Sequence, residues 1–413
     1  MDRYHETIVH ISHLCRHSIL DRREEGWETH FLDLVCWTKG AQCSDPRDRV
    51  FALLSLVSSR QLSIKPDYTK SQEYVFEQAV KNLMDLSYHH HFLFLCTLPL
   101  SGTTRPSWVP DFTELRVPGT YSTGQPCGSY SHKIKIDKHI LYTIGKQIST
   151  ITFIHEDHRN SSNLLEDIST LLWKLVFETK ANEDVEQLRE LLSTVVAGRF
   201  AERYHPPKVE RFPVSIIDRQ IDCVREENPA RALFLLLQRN RHHWLYLTYA
   251  SLYFKTGSIL VDELGHFGLC PASSRPGDVV VMLLGSGAPL ILRPQPDNTY
   301  LVVGEAYHHF SMHREPLLGP LPRPFRPVIN RAGCLVYLNQ VTGKTQSDDP
   351  RLGDPPEGWC RVNDHKQREN YQVFIETATG RRVASNVYDP RTTPEELRKR
   401  GVDLREFRLA WYM

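Results

Sequence analysis

Between Phe267 and Tyr307 the chain reads F-G-L-C-P-A-S-S-R-P-G-D-V-V-V-M-L-L-G-S-G-A-P-L-I-L-R-P-Q-P-D-N-T-Y-L-V-V-G-E-A-Y. Three apolar runs, Val279 to Leu284, Leu290 to Leu292 and Tyr300 to Val303, are divided by turn formers. These are Pro276-Gly277-Asp278 before the first run, then Gly285-Ser286-Gly287 and Pro296-Asp297-Asn298. Runs of that length between such punctuation predict consecutive β-hairpins, a meander over 267–307. The stretch holds no evident catalytic group, so its first consequence is architectural.

The rest of the chain adds helices. Asp45-Pro46-Arg47-Asp48 looks like a helix start, with Asp45 as N-cap, Pro46 in the first turn and Val50, Leu53, Leu54 and Val57 on one face. Thr69 and Gln72 have capping-box spacing ahead of Val75, Ala79, Leu83 and Leu86. Leu188, Leu191, Leu192 and Val195 keep the helical period, and Leu233 to Leu237 suggests another buried helix. Alternation at Ile134, Ile136, Ile140, Tyr142 and Ile144 predicts a hairpin. Thr393-Pro394-Glu395-Glu396 should cap a short helix that Gly401 ends.

At 413 residues the chain has room for more than one domain. A formal net charge of +1 gives no electrostatic case for nucleic acid or an anionic membrane. No run approaches the roughly 18 apolar residues of a membrane helix. Met1 to Arg16 is charged and His-rich without an apolar core, so no secretory leader is expected. Nine cysteines, an odd number with no C-x-x-C pair, read as reduced thiols of a cytoplasmic or nuclear protein. Asn160-Ser161-Ser162 is then a chance glycosylation match.

Four segments together resemble the fungal heterokaryon-incompatibility (HET) domain proteins. Cys43 to Leu54, reading C-S-D-P-R-D-R-V-F-A-L-L, resembles the stretch where the HET domain ends. Pro66-Asp67-Tyr68 and its helix continue the pattern, and Pro106 to Phe112 matches a P-S-W-V-P-D-F signature. The segment from Gly268 to Tyr307, with Leu317 to Pro322, resembles the family's C-terminal region. Two departures stand out. The L-S-Y-x-W-G and W-x-D-x-x-C-I-N-Q segments usual at the start are missing, which suggests a member lacking the N-terminal part of its HET domain. Phe310 to Glu315, F-S-M-H-R-E, stands where relatives tend to carry a G-I-M-D-G-E-like turn. The resemblance implies fungal non-self recognition and programmed cell death through protein partners.

The tail has a likeness of its own. Asn339, Thr342, Thr345 and Pro350 fall on WW-domain spacing. Pro355 to Trp359, Tyr371 to Phe374, Thr379-Gly380 and Asp389-Pro390-Arg391 resemble a second copy. WW domains grip proline-rich peptides between a Tyr and a second Trp. Ser347 stands at that Trp position in the first copy, and the second copy offers only Val387-Tyr388.

Catalytic readings weaken residue by residue. The pairs His308-His309 and His242-His243, and the triplet His89-His90-His91, lack zinc-site spacing, and adjacent histidines point apart. Cys270 near His266 has no nameable oxyanion hole. Asp262-Glu263-Leu264-Gly265-His266 has the wrong order for a metalloprotease helix, and Gly285-Ser286-Gly287 lacks the lysine and helix of a phosphate loop.

The expectation is an α+β protein: a helical N-terminal remnant (1–96), a mixed middle with the meander (97–316), a proline-rich linker (317–330) and a small β-rich WW-like tail (331–413). Expected partner contacts are Trp108, Asp111, Trp359, Tyr371 and Phe374, with core packing of Trp108 the stronger alternative. No catalytic, cofactor-binding or metal-ligating residue is expected. Protein partners are, proline-rich peptides among them, with neither nucleic acid nor a membrane span. The other readings are a WW-like adaptor, and an enzyme of the TIR-like NAD-cleaving type whose active segment lies elsewhere.

Overall fold

The structure is a computed structural model describing residues 31–57, 62–84, 91–98, 105–115, 127, 134–155, 164–181, 183–198, 250–251, 253, 257–329, 335–362, 372–385 and 388–411. It is α+β, and the meander is its centre. Strands β1 (Lys135–Asp137) and β2 (Ile140–His155) form the expected hairpin. Its two turn residues, Lys138 and His139, both have positive φ, the twist that suits a two-residue hairpin. Then come β3 (Gly257–Asp262), β4 (Phe267–Pro271), β5 (Val279–Leu283), β6 (Leu290–Pro294), β7 (Tyr300–Glu305) and β8 (Tyr307–His308). Each of the three apolar runs is a strand.

The long strand β2 pairs antiparallel with β5 through residues 145–150 and with β3 through 151–155. The pairings β5–β6 and β6–β7 lead to β7, and β8 continues β7 after Ala306. The sheet therefore curls, leaving a seam between β2 and the β7–β8 run. At one end β3 and β4 bridge the seam, with β4 pairing β8. At the other it is bridged by the last strand of the chain, β15 (Arg405–Leu409). That strand makes five antiparallel pairs with β2 but a single parallel pair, Leu409 with Tyr300, to β7. The result is barrel-like without being a fully closed barrel. Gly145 sits where β2 passes β5, and a Cβ there would lie 2.5 Å from the Met282 carbonyl oxygen, so the crossing requires glycine.

Alternation along the strands sorts the core. Ile151, Leu260, Cys270, Val280, Ile291, Leu301 and Val303 form one cluster. The opposite face of the meander, with Val279, Val281, Leu283, Leu290 and Leu292, packs against α1 (Phe31–Trp37), α2 (Asp48–Phe51) and α3 (Gln72–Met84). The outer face of β3 and β4, through Ile259, Phe267 and Leu269, packs against α4 (Leu164–Glu178) and α5 (Val185–Val195). Helix α5 keeps the expected period, and Asp184 caps it by accepting from the Glu186 amide at 2.8 Å.

Three expectations need correction. Helix α2 is one turn long, followed by a 3-10 turn at Leu54–Leu56. Asp45 does not cap it: its carboxylate takes the Arg47 amide and guanidinium instead. Ser71, not Thr69, caps α3, accepting from the Tyr74 amide at 3.2 Å, because Thr69 is tied to the Asp67 carboxylate. Residues 317–330 are not a free linker, and the tail is not a detached module. Leu317 is buried in α6 (Glu315–Leu318), and Phe325–Ile329 forms β9. Leu86 and the segment 233–237 lie outside the described residues.

The tail contains two three-stranded antiparallel sheets. One is β9 with β10 (Leu335–Asn339) and β11 (Thr345–Gln346). The other is β12 (Trp359–Val362), β13 (Val373–Glu376) and β14 (Arg382–Ala384). Their hairpins match: Gly343 donates to the Asn339 carbonyl and Gly380 to the Glu376 carbonyl, both at 2.8 Å. Helix α7 (Pro394–Lys399) starts at Thr393, which accepts from the Glu396 amide, and stops at Gly401, whose φ is +81°. From there the chain runs into β15.

Candidate functional site

The P-S-W-V-P-D-F segment lies inside the molecule. Trp108 is fully buried, and its Nε1 donates to the His139 carbonyl at 2.9 Å. Phe112 is wedged edge-on against Phe31 and Phe76. Ser107 stitches two strands: its amide and hydroxyl both donate to the Ala410 carbonyl, and its Oγ accepts from the Val302 amide. Asp111 pairs with Arg105 at 2.9 Å and caps the turn at Thr113. Burial alone would raise the Asp111 carboxyl, but bonds from Thr113 and the Arg105 charge hold it below its usual range. Trp108 therefore offers no surface to a partner; it packs the core and positions the last strand.

In the second tail sheet Phe374 is likewise buried, with the Arg391 guanidinium 4.9 Å from its ring centroid. Its register partners are Arg361 and Val383, so strand alternation places Cys360, Val362, Val373, Ile375, Arg382 and Ala384 on the other face. That face carries no aromatic among the described residues, and a WW-type proline grip needs a pair. Trp359 is half-buried, tilted against Tyr388 with ring centroids 5.5 Å apart. Tyr371 lies outside the described residues. The expected contact residues are thus not gathered in one place.

What holds the tail together is a triplet occurring three times, Asp-Pro-Arg at 45–47, 349–351 and 389–391. Each folds alike. The Asp Oδ1 accepts the Arg backbone amide and Nε, and Oδ2 accepts from a terminal guanidinium nitrogen. Proline's fixed φ and the bidentate carboxylate pre-set the guanidinium. Its remaining hydrogens reach distant carbonyls. Arg47 takes those of Tyr68 and Lys70. Arg351 takes Gly319 and His313. Arg391 takes Gly353 and also the Asp348 carboxylate. The first sheet is thereby fastened to the central sheet's exit turn, and the second to the first.

The densest polar cluster surrounds β8. The Asp262 carboxylate accepts the Leu264 and His266 amides on Oδ1, which makes the D-E-L-G-H stretch a hairpin turn and not a helix. Its Oδ2 takes His308 Nε2 at 3.1 Å, and His308 Nδ1 meets Ser311 Oγ at 2.7 Å. A carboxylate only accepts, so Nε2 carries the hydrogen and the serine hydroxyl serves Nδ1. This is the group order of a serine-hydrolase relay. All three residues are buried, Ser311 and His308 completely, so no substrate atom can approach the hydroxyl. The arrangement can fix the β3–β4 turn against β8; it cannot attack anything. Adjacent, His266 is stacked on Phe310, and its bond to Glu190 raises its pKa. Cys270 is buried in the inner cluster, and desolvation pushes its thiol up to about 12, the reverse of a nucleophile. Among the described residues no group of three or more His, Cys, Asp and Glu could hold a metal ion. No helix there is long and apolar enough to cross a membrane.

The F-S-M-H-R-E departure has a conformational consequence. Arg314 sits at φ +67°, where the likeness puts glycine, and a side chain there is strained. Arg314→Gly should stabilise the protein by about 1 kcal/mol, read as a higher urea midpoint. An unchanged or lower midpoint would mean that the arginine's contacts outweigh the strain.

The fold is an α+β assembly around a curled, barrel-like sheet with its polar clusters turned inward. Residues 202–315 match the family model described as the Het-6 beta-barrel domain. The match begins after β2 and ends before β15, so three outside strands, β1, β2 and β15, complete its sheet. A 50-residue stretch is 48% identical to "Heterokaryon incompatibility protein 6, OR allele" of Neurospora crassa; it covers 11% of this chain and only 7% of that protein. Both likenesses are to proteins of the heterokaryon-incompatibility type, each over part of the chain. No solved structure matches.

Proposed function

We propose that this chain is a non-catalytic recognition or regulatory portion of a heterokaryon-incompatibility-type protein. It acts through protein–protein contacts in non-self recognition and programmed cell death, in the cytoplasm. The observation that carries the reading is the Het-6 beta-barrel match over 202–315. The inward use of the chemistry-bearing groups agrees with it: the serine relay is sealed and the thiol of Cys270 is buried.

The test is the viability of fused hyphae from strain pairs that differ only in this gene. Cell death confined to the unlike pairing is the expected result, and equal survival in both pairings would overturn it. Purified chain should leave NAD intact; measurable cleavage would favour the enzymatic alternative. The adaptor alternative requires a proline-rich peptide to bind, with loss on Trp359→Ala or Tyr371→Ala. The aromatic-free face of the second tail sheet speaks for a flat titration.

A further inference from the structure

The turn from His309 to Gly319 joins the central sheet to the tail and holds a partly buried carboxylate with one oxygen left over. Glu315 opens α6, and its Oε2 is buried without a hydrogen-bond partner. Its Oε1 lies 3.8 Å from His313 Nδ1. The nearby cations have other duties. Arg351 spends its guanidinium on Asp349 and on the carbonyls of His313 and Gly319, which flank Glu315 on both sides. Lys146, reaching across from β2, donates to the Pro316 carbonyl at 2.8 Å. From β10 the Tyr337 hydroxyl donates to Asp349 at 2.6 Å, holding that negative charge in the same joint. The His309 ring packs edge-on to His313, and the strained Arg314 lies between His313 and Glu315.

We propose that Glu315 is a proton-operated latch: protonated, it lets the joint between the central sheet and the tail close, and ionised, it loosens that joint. A protonated carboxyl is neutral, so its unpartnered oxygen costs less to bury, and it is not repelled by Asp349. An ionised one places a second buried negative charge in the joint, with the arginine already committed. Burial raises the Glu315 pKa to about 7 from its ordinary 4.5. The folded value is the higher one, so the stabilisation is complete below about 4.5 and is lost as pH rises through about 7. At the acid end, burial lowers His309 to about 4 and His313 to about 3, so both stay uncharged while the latch is closed. His266, raised by Glu190, loses its contribution in the same upward direction, so the test must be a difference.

The experiment compares the full chain with Glu315→Gln, following thermal unfolding from pH 5.5 to 8.5 at constant ionic strength. The wild-type melting temperature should fall by about 2 °C more than the variant's between pH 6 and 8, the two agreeing at pH 5.5. Protection factors at Leu318 and Gly319, corrected for base-catalysed intrinsic exchange, should fall over that range in the wild type alone. Parallel curves would overturn the proposal. Should the variant fail to fold, carboxyl NMR of glutamate-labelled wild type decides: a buried midpoint near 7 supports the latch, and all midpoints below 5 overturn it.

Discussion

Arg391→Ala is expected to cost about 3–5 kcal/mol, the largest loss from any single charge removal in the tail. Arg391 is 2% exposed and serves two carboxylates, Asp389 and Asp348, besides the Gly353 carbonyl. Its removal leaves a buried carboxylate at Asp389 and takes the guanidinium from Asp348, although Arg361 still lies 3.2 Å from the latter. It also uncovers the Phe374 ring. Equilibrium urea unfolding measures the loss, and a two-step curve with the tail released first is the expected form. The comparison is Arg47→Ala, which breaks the same triplet where the two side chains are 22% and 28% exposed and should cost distinctly less. Equal costs at the two sites would show that the triplet's own geometry, rather than burial, sets its worth.

Trp108→Ala should be as damaging, by about 3–5 kcal/mol, because it empties a fully buried site and orphans the His139 carbonyl. The result also separates two readings of the P-S-W-V-P-D-F segment. If Trp108 is a core residue, the variant loses thermal stability and its β15 amides lose protection, since Ser107 next to it holds Ala410. If it were a partner contact, stability would be unchanged and only binding would suffer. Trp359→Ala, at a half-buried tail position, should lie well below Trp108→Ala on the same scale.

The parts of this fold that sequence reveals are those fixed within a few residues. Pro276-Gly277-Asp278 marks a real turn because Asp278 locks it locally, accepting from the Arg275 amide and from Arg293 of the next strand. Asp184 and Thr393 cap helices because no stronger donor competes for their oxygens. Thr69 misleads because Asp67, two residues earlier, takes its amide and hydroxyl, leaving Ser71 to do the capping. The relay is hidden for a different reason: His308 and Asp262 are 46 positions apart, and only the β4–β8 pairing brings them together. The proline-dense segment looks like a spacer until β10 is placed beside it, when Phe325 to Ile329 becomes a paired strand. Nothing within Arg405 to Leu409 tells that it belongs to a sheet begun at residue 135.

That last strand sets a timetable for synthesis. Ser107 leaves the ribosome 303 residues before the Ala410 it must hold. At about 10 residues per second the nascent chain waits about 10 s after β7 is made with β2 and β7 unjoined along that end of the seam. Throughout that time an apolar sheet edge stands open to other chains. A stop codon before Arg405 would make the condition permanent, so a chain without β15 should yield aggregated protein and not a shorter soluble one.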